Sequence, residues 1–158
     1  MESIWIKEIK ADRNCVTYHL DVLEGLVRYF SPGCEMFAEF GFDISNIPKS
    51  VLAVPVLSNI MQFAWLFDCL VWIEEVDQQF YECLPKIKRG FQEMYRNYSF
   101  GGSLIAAKVV SNGYHAEKES ALLFTGGVDA TTSFLRIRDS NPVLIDTFGW
   151  CVDRDEQS

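Results

Sequence analysis

The stretch that most limits what this chain can fold into is Ala121-Leu-Leu-Phe-Thr125-Gly126-Gly127-Val128-Asp129-Ala130-Thr131. Leu122, Leu123 and Phe124 form a short apolar run ahead of two glycines, the pattern of a strand buried on both faces as in a parallel sheet. The strand is expected to end at Thr125. Gly126 and Gly127 remove Cβ atoms where the chain turns, so the backbone can take φ > 0 or approach a ligand closely. A helix then runs from Asp129 through Phe134, Leu135 and Ile137 to about Arg138, with the Asp129 carboxylate in its first turn, at the positive end of the dipole. Such a terminus suits a large anion, because several backbone N–H groups point outward together. Pro142-Val-Leu-Ile-Asp146 reads as a second buried strand. The whole is a β-loop-α-β unit.

Thr125-Gly126-Gly127-Val128-Asp129-Ala130, with a strand before it and a helix after it, resembles the signature of the PP-loop ATP pyrophosphatase superfamily, Ser-Gly-Gly-x-Asp-Ser. The resemblance implies a loop that holds the pyrophosphate end of ATP, with Mg²⁺, while a substrate oxygen attacks the α-phosphorus. It implies that Thr125 contacts phosphate through its hydroxyl, and Gly126 and Gly127 through backbone N–H, with Val128 at the variable position. Asp129 would order the loop or the metal, and Ile145, Asp146 and Thr147 would lie near the adenine. The last signature position departs: Ala130 carries no hydroxyl, and losing one charge-assisted hydrogen bond removes ~1.5–3 kcal/mol. Thr131 follows it with a hydroxyl that could substitute. The sequence contains no Gly-x4-Gly-Lys-Ser/Thr loop, and its glycine spacing is not that of a dinucleotide fingerprint.

At 158 residues the chain suits one domain, or one small domain with part of another. With 49% hydrophobic residues it has ample material for a core, and a formal net charge of −8 speaks against nucleic acid as a general partner. Lys86-Ile-Lys88-Arg89 is the one local basic cluster, and it reads as a solvated helix face. Five cysteines with no Cys-x-x-Cys pair fit a reducing cytoplasm better than a disulfide framework. Met1-Glu-Ser-Ile-Trp has no apolar core of signal-peptide length, so the expected location is cytoplasmic.

Ahead of the loop the pattern predicts an α+β region over residues 1–115. Ile4–Lys10, Cys15–Leu20, Gly25–Phe30 and Met36–Phe42 read as four strands of an antiparallel meander, with a turn at Ser31-Pro-Gly33. Ser50 is placed as the N-cap of an apolar helix to Phe67. That helix has the hydropathy of a membrane span, but Pro55, Asp68 and its length argue for a helix between protein layers, and no membrane is expected. Leu70–Ile73 reads as a strand and Asp77 as the N-cap of a helix whose buried face is Phe80, Tyr81, Leu84, Ile87, Phe91, Met94 and Tyr95. Gly101-Gly102, after a helix and before the strand Leu104–Val110, has the polarity of a C-cap. His115 lies in a polar connection, from which it could act as acid or base.

Residues 116–158 then form the start of an α/β PP-loop domain. A doubly wound nucleotide domain needs further βα units after its second strand. The expectation is therefore the ATP-binding front part of a longer enzyme, inactive alone, that adenylates a substrate oxygen with release of pyrophosphate. The superfamily spans ligases, amidotransferases, nucleobase thiolases and an ATP-dependent epimerase group, which the layout of the front region also resembles. The expected partners are a small-molecule nucleotide, and either the missing C-terminal part or further copies of the chain. The other reading is a non-catalytic α+β interaction or assembly domain whose glycine loop is only a turn.

Overall fold

The computed structural model describes residues 2–30, 35–113 and 120–145, which divide into two compact units, 1–112 and 113–158. In chain order the first unit holds β1 (Ser3–Asp12), β2 (Cys15–Val22), α1 (Glu24–Val27), β3 (Glu35–Glu39), α2 (Lys49–Leu66), β4 (Leu70–Asp77), α3 (Gln78–Met94) and β5 (Ser103–Val110). The second holds β6 (Ala121–Leu123), α4 (Val128–Ile137) and β7 (Val143–Ile145). The architecture is mixed α and β, with a mixed sheet.

The sheet order in the first unit is β3-β2-β1-β4-β5. β1, β2 and β3 pair antiparallel, whereas β4 lies parallel to β1 and β5 parallel to β4. A one-residue irregularity between Ile6 and Glu8 interrupts the β1–β2 register. The connections β1 to β4 and β4 to β5 step the same way across the sheet, so right-handed crossovers put α2 and α3 on one face. Burial agrees. Ile4 and Ile6, then Val16, Tyr18 and Leu20, then Val71 and Ile73 turn inward at alternate positions, and Leu104 joins them from β5. On the other face, Trp72 is 38% and Val109 44% exposed.

α2 supplies the matching layer with Leu52, Ala53, Val56, Leu57, Ile60, Met61, Ala64 and Trp65, a stripe at the three- and four-residue spacing of one helix face. Pro55 sits inside this helix and deprives Val51 of an amide donor, a change that costs ~3 kcal/mol in an isolated helix interior. Each large side chain buried on the stripe contributes about 1.5–3 kcal/mol, so packing outweighs the proline. Lys49–Leu66 is long and apolar enough to cross a membrane by composition, and 50% of that window is buried against its own protein. α3 begins as expected at Asp77, whose Oδ1 accepts from Phe80 N at 3.0 Å, and continues through Pro85 and Gly90 to Met94. Of its expected buried face only Leu84 is buried, and Ile87, Met94 and Tyr95 are exposed, because the helix meets the core along one narrow line.

Several expectations are corrected. Gly25–Phe30 is not a strand: residues 24–27 are helical, and Leu26 N to Leu23 O, Tyr29 N to Leu26 O and Phe30 N to Val27 O continue as tight turns. β2 pairs directly with β3, so the segment has no place between them and the meander has three strands. Ser50 does not cap α2. The helix starts after Pro48 with Ser50 already in its first turn, where its Oγ accepts from Asn112 Nδ2 at 3.0 Å. Gly101-Gly102 does not cap α3, which ends at Met94. The turn at Ser31-Pro-Gly33 lies outside the described residues.

Candidate functional site

The second unit is the predicted β-loop-α-β arrangement. β6 and β7 pair parallel, with Ala121 opposite Val143, Leu122 opposite Leu144 and Leu123 opposite Ile145. The ladder is extended by Val143 N to Ser120 O at 3.0 Å and Phe124 N to Ile145 O at 2.8 Å. β6 stops at Leu123, two residues before the expected Thr125, because the chain leaves the ladder after Phe124. Phe124 instead meets Phe134 of α4 edge to face, at 5.8 Å between ring centroids, which fixes the helix against the strand. Past α4, Ser140 Oγ donates to Ile137 O at 2.7 Å, so Ser120 Oγ donates to Ser140 Oγ at 2.9 Å. Asn141 turns the chain into β7 with φ 49°.

Between strand and helix lies the loop. Gly126 has φ 74°, in the left-handed region that favours glycine, and a Cβ built on it would meet nothing within 4 Å. Gly127 precedes the first helical residue with φ −70° and ψ 167°, and a Cβ there would touch only Thr125 Oγ1, at 3.7 Å. The Thr125 hydroxyl therefore stands beside the Gly127 backbone. Thr131 N donates to Gly127 O at 2.9 Å and closes the first turn of α4. That leaves the amides of Val128, Asp129 and Ala130 with no acceptor inside the helix. Gly127 offers no side-chain cap. Among the described residues, no hydrogen bond takes the N–H of any residue from Thr125 to Ala130. Residues 125–129 and Thr131 are exposed, with Ala130 half-buried.

The loop is therefore an open run of amides around a left-handed glycine, with a hydroxyl at its head and one carboxylate, Asp129, in the first helical turn. Backbone donors in this arrangement form an anion-binding concavity. At Ala130 no hydroxyl is present, and the Thr131 side chain is exposed in the next position. The Thr132 Oγ1 donates to Val128 O at 2.8 Å, so its hydrogen is spent within the helix. Of the expected base contacts, Ile145 ends β7 and is exposed, while Asp146 and Thr147 lie outside the described residues, as does His115.

One expectation fails here. β6 and β7 are not buried on both faces: Leu123 is 54% and Ile145 46% exposed. Two strands and one helix can cover a single sheet face, and α4 itself has no buried residue.

Mg²⁺ fits this loop only in company with phosphate. Among the described residues no three His, Cys, Asp or Glu side chains converge. Magnesium is commonly held by one or two carboxylates together with phosphate oxygens, and Asp129 is the carboxylate the loop offers.

Sequence reasoning did not find the buried polar contact of the first unit. Asn112 Nδ2 donates to Ser50 Oγ at 3.0 Å and to Asp77 Oδ2 at 2.9 Å, tying the end of β5 to the starts of α2 and α3. Asp77 is 6% exposed, with both carboxylate oxygens engaged. Its role is to fasten the crossovers. Two clefts flank α3, one of about 330 Å³ bounded by Trp65, Tyr81, Lys88 and Leu104, the other of about 340 Å³ bounded by Phe63, Phe91, Tyr95 and Phe100. Both are lined wholly by the first unit and are largely apolar. The Lys88 ammonium in the first donates to Gly102 O at 3.0 Å.

Comparison of the chain with protein-family models, curated proteins and solved structures finds no match.

Proposed function

We propose that residues Thr125–Thr131 bind the pyrophosphate end of a nucleotide, ATP with Mg²⁺, as the nucleotide-binding portion of a PP-loop enzyme that activates a substrate oxygen by adenylation. The observation that carries this reading is the run of amides from Thr125 to Ala130, which no acceptor among the described residues takes, at an exposed strand-to-helix turn. Bound ATP supplies the phosphorus to be attacked and pyrophosphate as the leaving group. The chain's part is binding and orientation. Gly126 and Gly127 would let phosphate oxygens approach the backbone, the Thr125 hydroxyl would donate to one of them, and Asp129 is the carboxylate that would help hold the metal bound with the phosphates. The reading assigns no catalytic residue.

A second reading is a non-catalytic assembly domain with a merely structural turn. It is favoured by the exposed apolar side chains of the second unit, Leu135 at 56% among them.

Thermal unfolding with ATP, AMP or pyrophosphate, each with Mg²⁺, separates the two. A ligand at one hundred times its Kd stabilises by ~2.7 kcal/mol. ATP and pyrophosphate are expected to raise the transition and AMP to do so weakly, with a larger rise for Ala130→Ser. No shift with any of the three, in the wild type and in Ala130→Ser, would leave the assembly reading in place.

A further inference from the structure

β5 is an edge strand of the five-stranded sheet, and among the described residues no strand pairs with its outer side. Ser103 N donates to Cys69 O at 3.1 Å, so residues 103, 105, 107 and 109 turn their amides and carbonyls toward β4. Leu104, Ala106, Lys108 and Val110 therefore direct theirs outward, and none of the four makes a further hydrogen bond among the described residues. Edge strands are ordinarily blunted by proline, bulges or charged side chains, lysine above all. β5 has no proline, no break in its register with β4, and one charge, Lys108, which lies in register with Glu75.

A second observation falls on the same strand. Its side chains on the face without helices are Ile105, Ala107 and Val109, and Ile105 sits in register with the exposed Trp72. The open edge and the exposed apolar side chains of this face, Trp72 and Val109, thus meet along β5, although Val76 on the same face is buried.

We propose that β5 pairs with β5 of a second copy of this chain, antiparallel and centred on Ala107, to give one continuous two-fold sheet. The strand is complementary to itself in this register. Leu104 faces the partner's Val110 and Ala106 faces the partner's Lys108 in hydrogen-bonded pairs, so every outward residue of both strands is used. Ile105 faces the partner's Val109 across the closer, non-hydrogen-bonded spacing, around the two Ala107 residues. Shifting the centre to Lys108 would oppose two lysines, and shifting it to Ala106 would leave Val110 unpaired. An isologous contact of this kind closes as a dimer and does not propagate.

The test is the mass of the full-length chain in solution across a concentration series, by sedimentation equilibrium. The wild type is expected to approach twice 18.1 kDa as concentration rises. Ala107→Glu and Ala107→Lys each place like charges in contact at the two-fold axis, and each should raise the dimer dissociation constant by at least about tenfold. Mixing the two variants should restore the dimer. Ala106→Pro removes an outward amide without touching the β4 ladder, and should give a monomer whose circular dichroism matches the wild type. A wild type that stays monomeric throughout, or a dimer indifferent to both charges at position 107, would overturn the proposal.

Discussion

Two weak acids of the core, the Tyr18 phenol and the Cys69 thiol, are held protonated in the fold. Burial is the first cause for Tyr18, followed by the charge of Cys15; for Cys69 it is burial, followed by Glu2 and Asp68. The Tyr18 hydroxyl donates to Leu52 O at 2.8 Å, linking β2 to α2, and its ionisation would remove that donor. Their ordinary values are 10.0 and 9.0, and both are raised in the folded chain. On raising the pH the unfolded chain therefore gives up these protons first, which favours unfolding. Stability should be intact below pH 9.0 and fall as pH passes 9.0 and then 10.0, as read by urea midpoints. Tyr18→Phe should lower stability by about 1 kcal/mol at neutral pH, through the lost hydrogen bond, and flatten the decline above pH 10.0. A decline of unchanged steepness in Tyr18→Phe would show that the phenol does not drive it.

At the scale of elements, the junction of α2 with β5 is the tightest. The last carbonyls of α2 are taken by the chain that follows: Phe63 O by Phe67 N, Ala64 O by Cys69 N at 2.9 Å, and Trp65 O by Gly101 N at 2.8 Å. Gly102, with φ 61°, donates to Asp68 Oδ1 at 2.7 Å, and a Cβ there would run into the carbonyl oxygens of Ala64 and Cys69. Gly102→Ala should cost about 2–5 kcal/mol, left-handed strain plus overpacking, measured by chemical denaturation. A loss under about 0.5 kcal/mol would mean that this backbone contact is not held. The glycine pair was legible as structural, but its true neighbour, the end of α2, lies far back in sequence. The same limit explains the other misreadings. Val27, Tyr29 and Phe30 have strand character, yet β2 had already found its neighbour in β3, which no local pattern reveals. Ser50 has cap chemistry, but its partner Asn112 arrives from the end of β5. Signals complete within a few residues carried through: the Asp77 cap, the strand beginning at Cys15, and the strand, glycine turn and helix of residues 121–137.

For the molecule as a whole, the residues that form the hydrophobic core run from Ile4 to Leu104 and all belong to the first unit. Among its described residues the second unit has one aromatic contact, a two-stranded parallel ladder and exposed leucines. Parallel strands are ordinarily covered on both faces. The first unit thus has the means to be stable by itself, while in the second the most developed feature is the loop with its open amides. Its burial was misjudged because an apolar run in sequence does not say how many neighbours a strand will have. The loop itself was legible, since two glycines between an apolar run and an amphipathic segment leave few conformations.

The central claim is that these amides receive phosphate oxygens, and backbone amide chemical shifts report on it directly. In a pyrophosphate titration with Mg²⁺ followed by ¹H–¹⁵N correlation spectra, the resonances of Gly126, Gly127, Val128, Asp129 and Ala130 should move together and saturate. Those of α2 and β4 should stay in place. If the loop amides hold still at saturating pyrophosphate, or move no more than the rest of the chain, the phosphate site is not there.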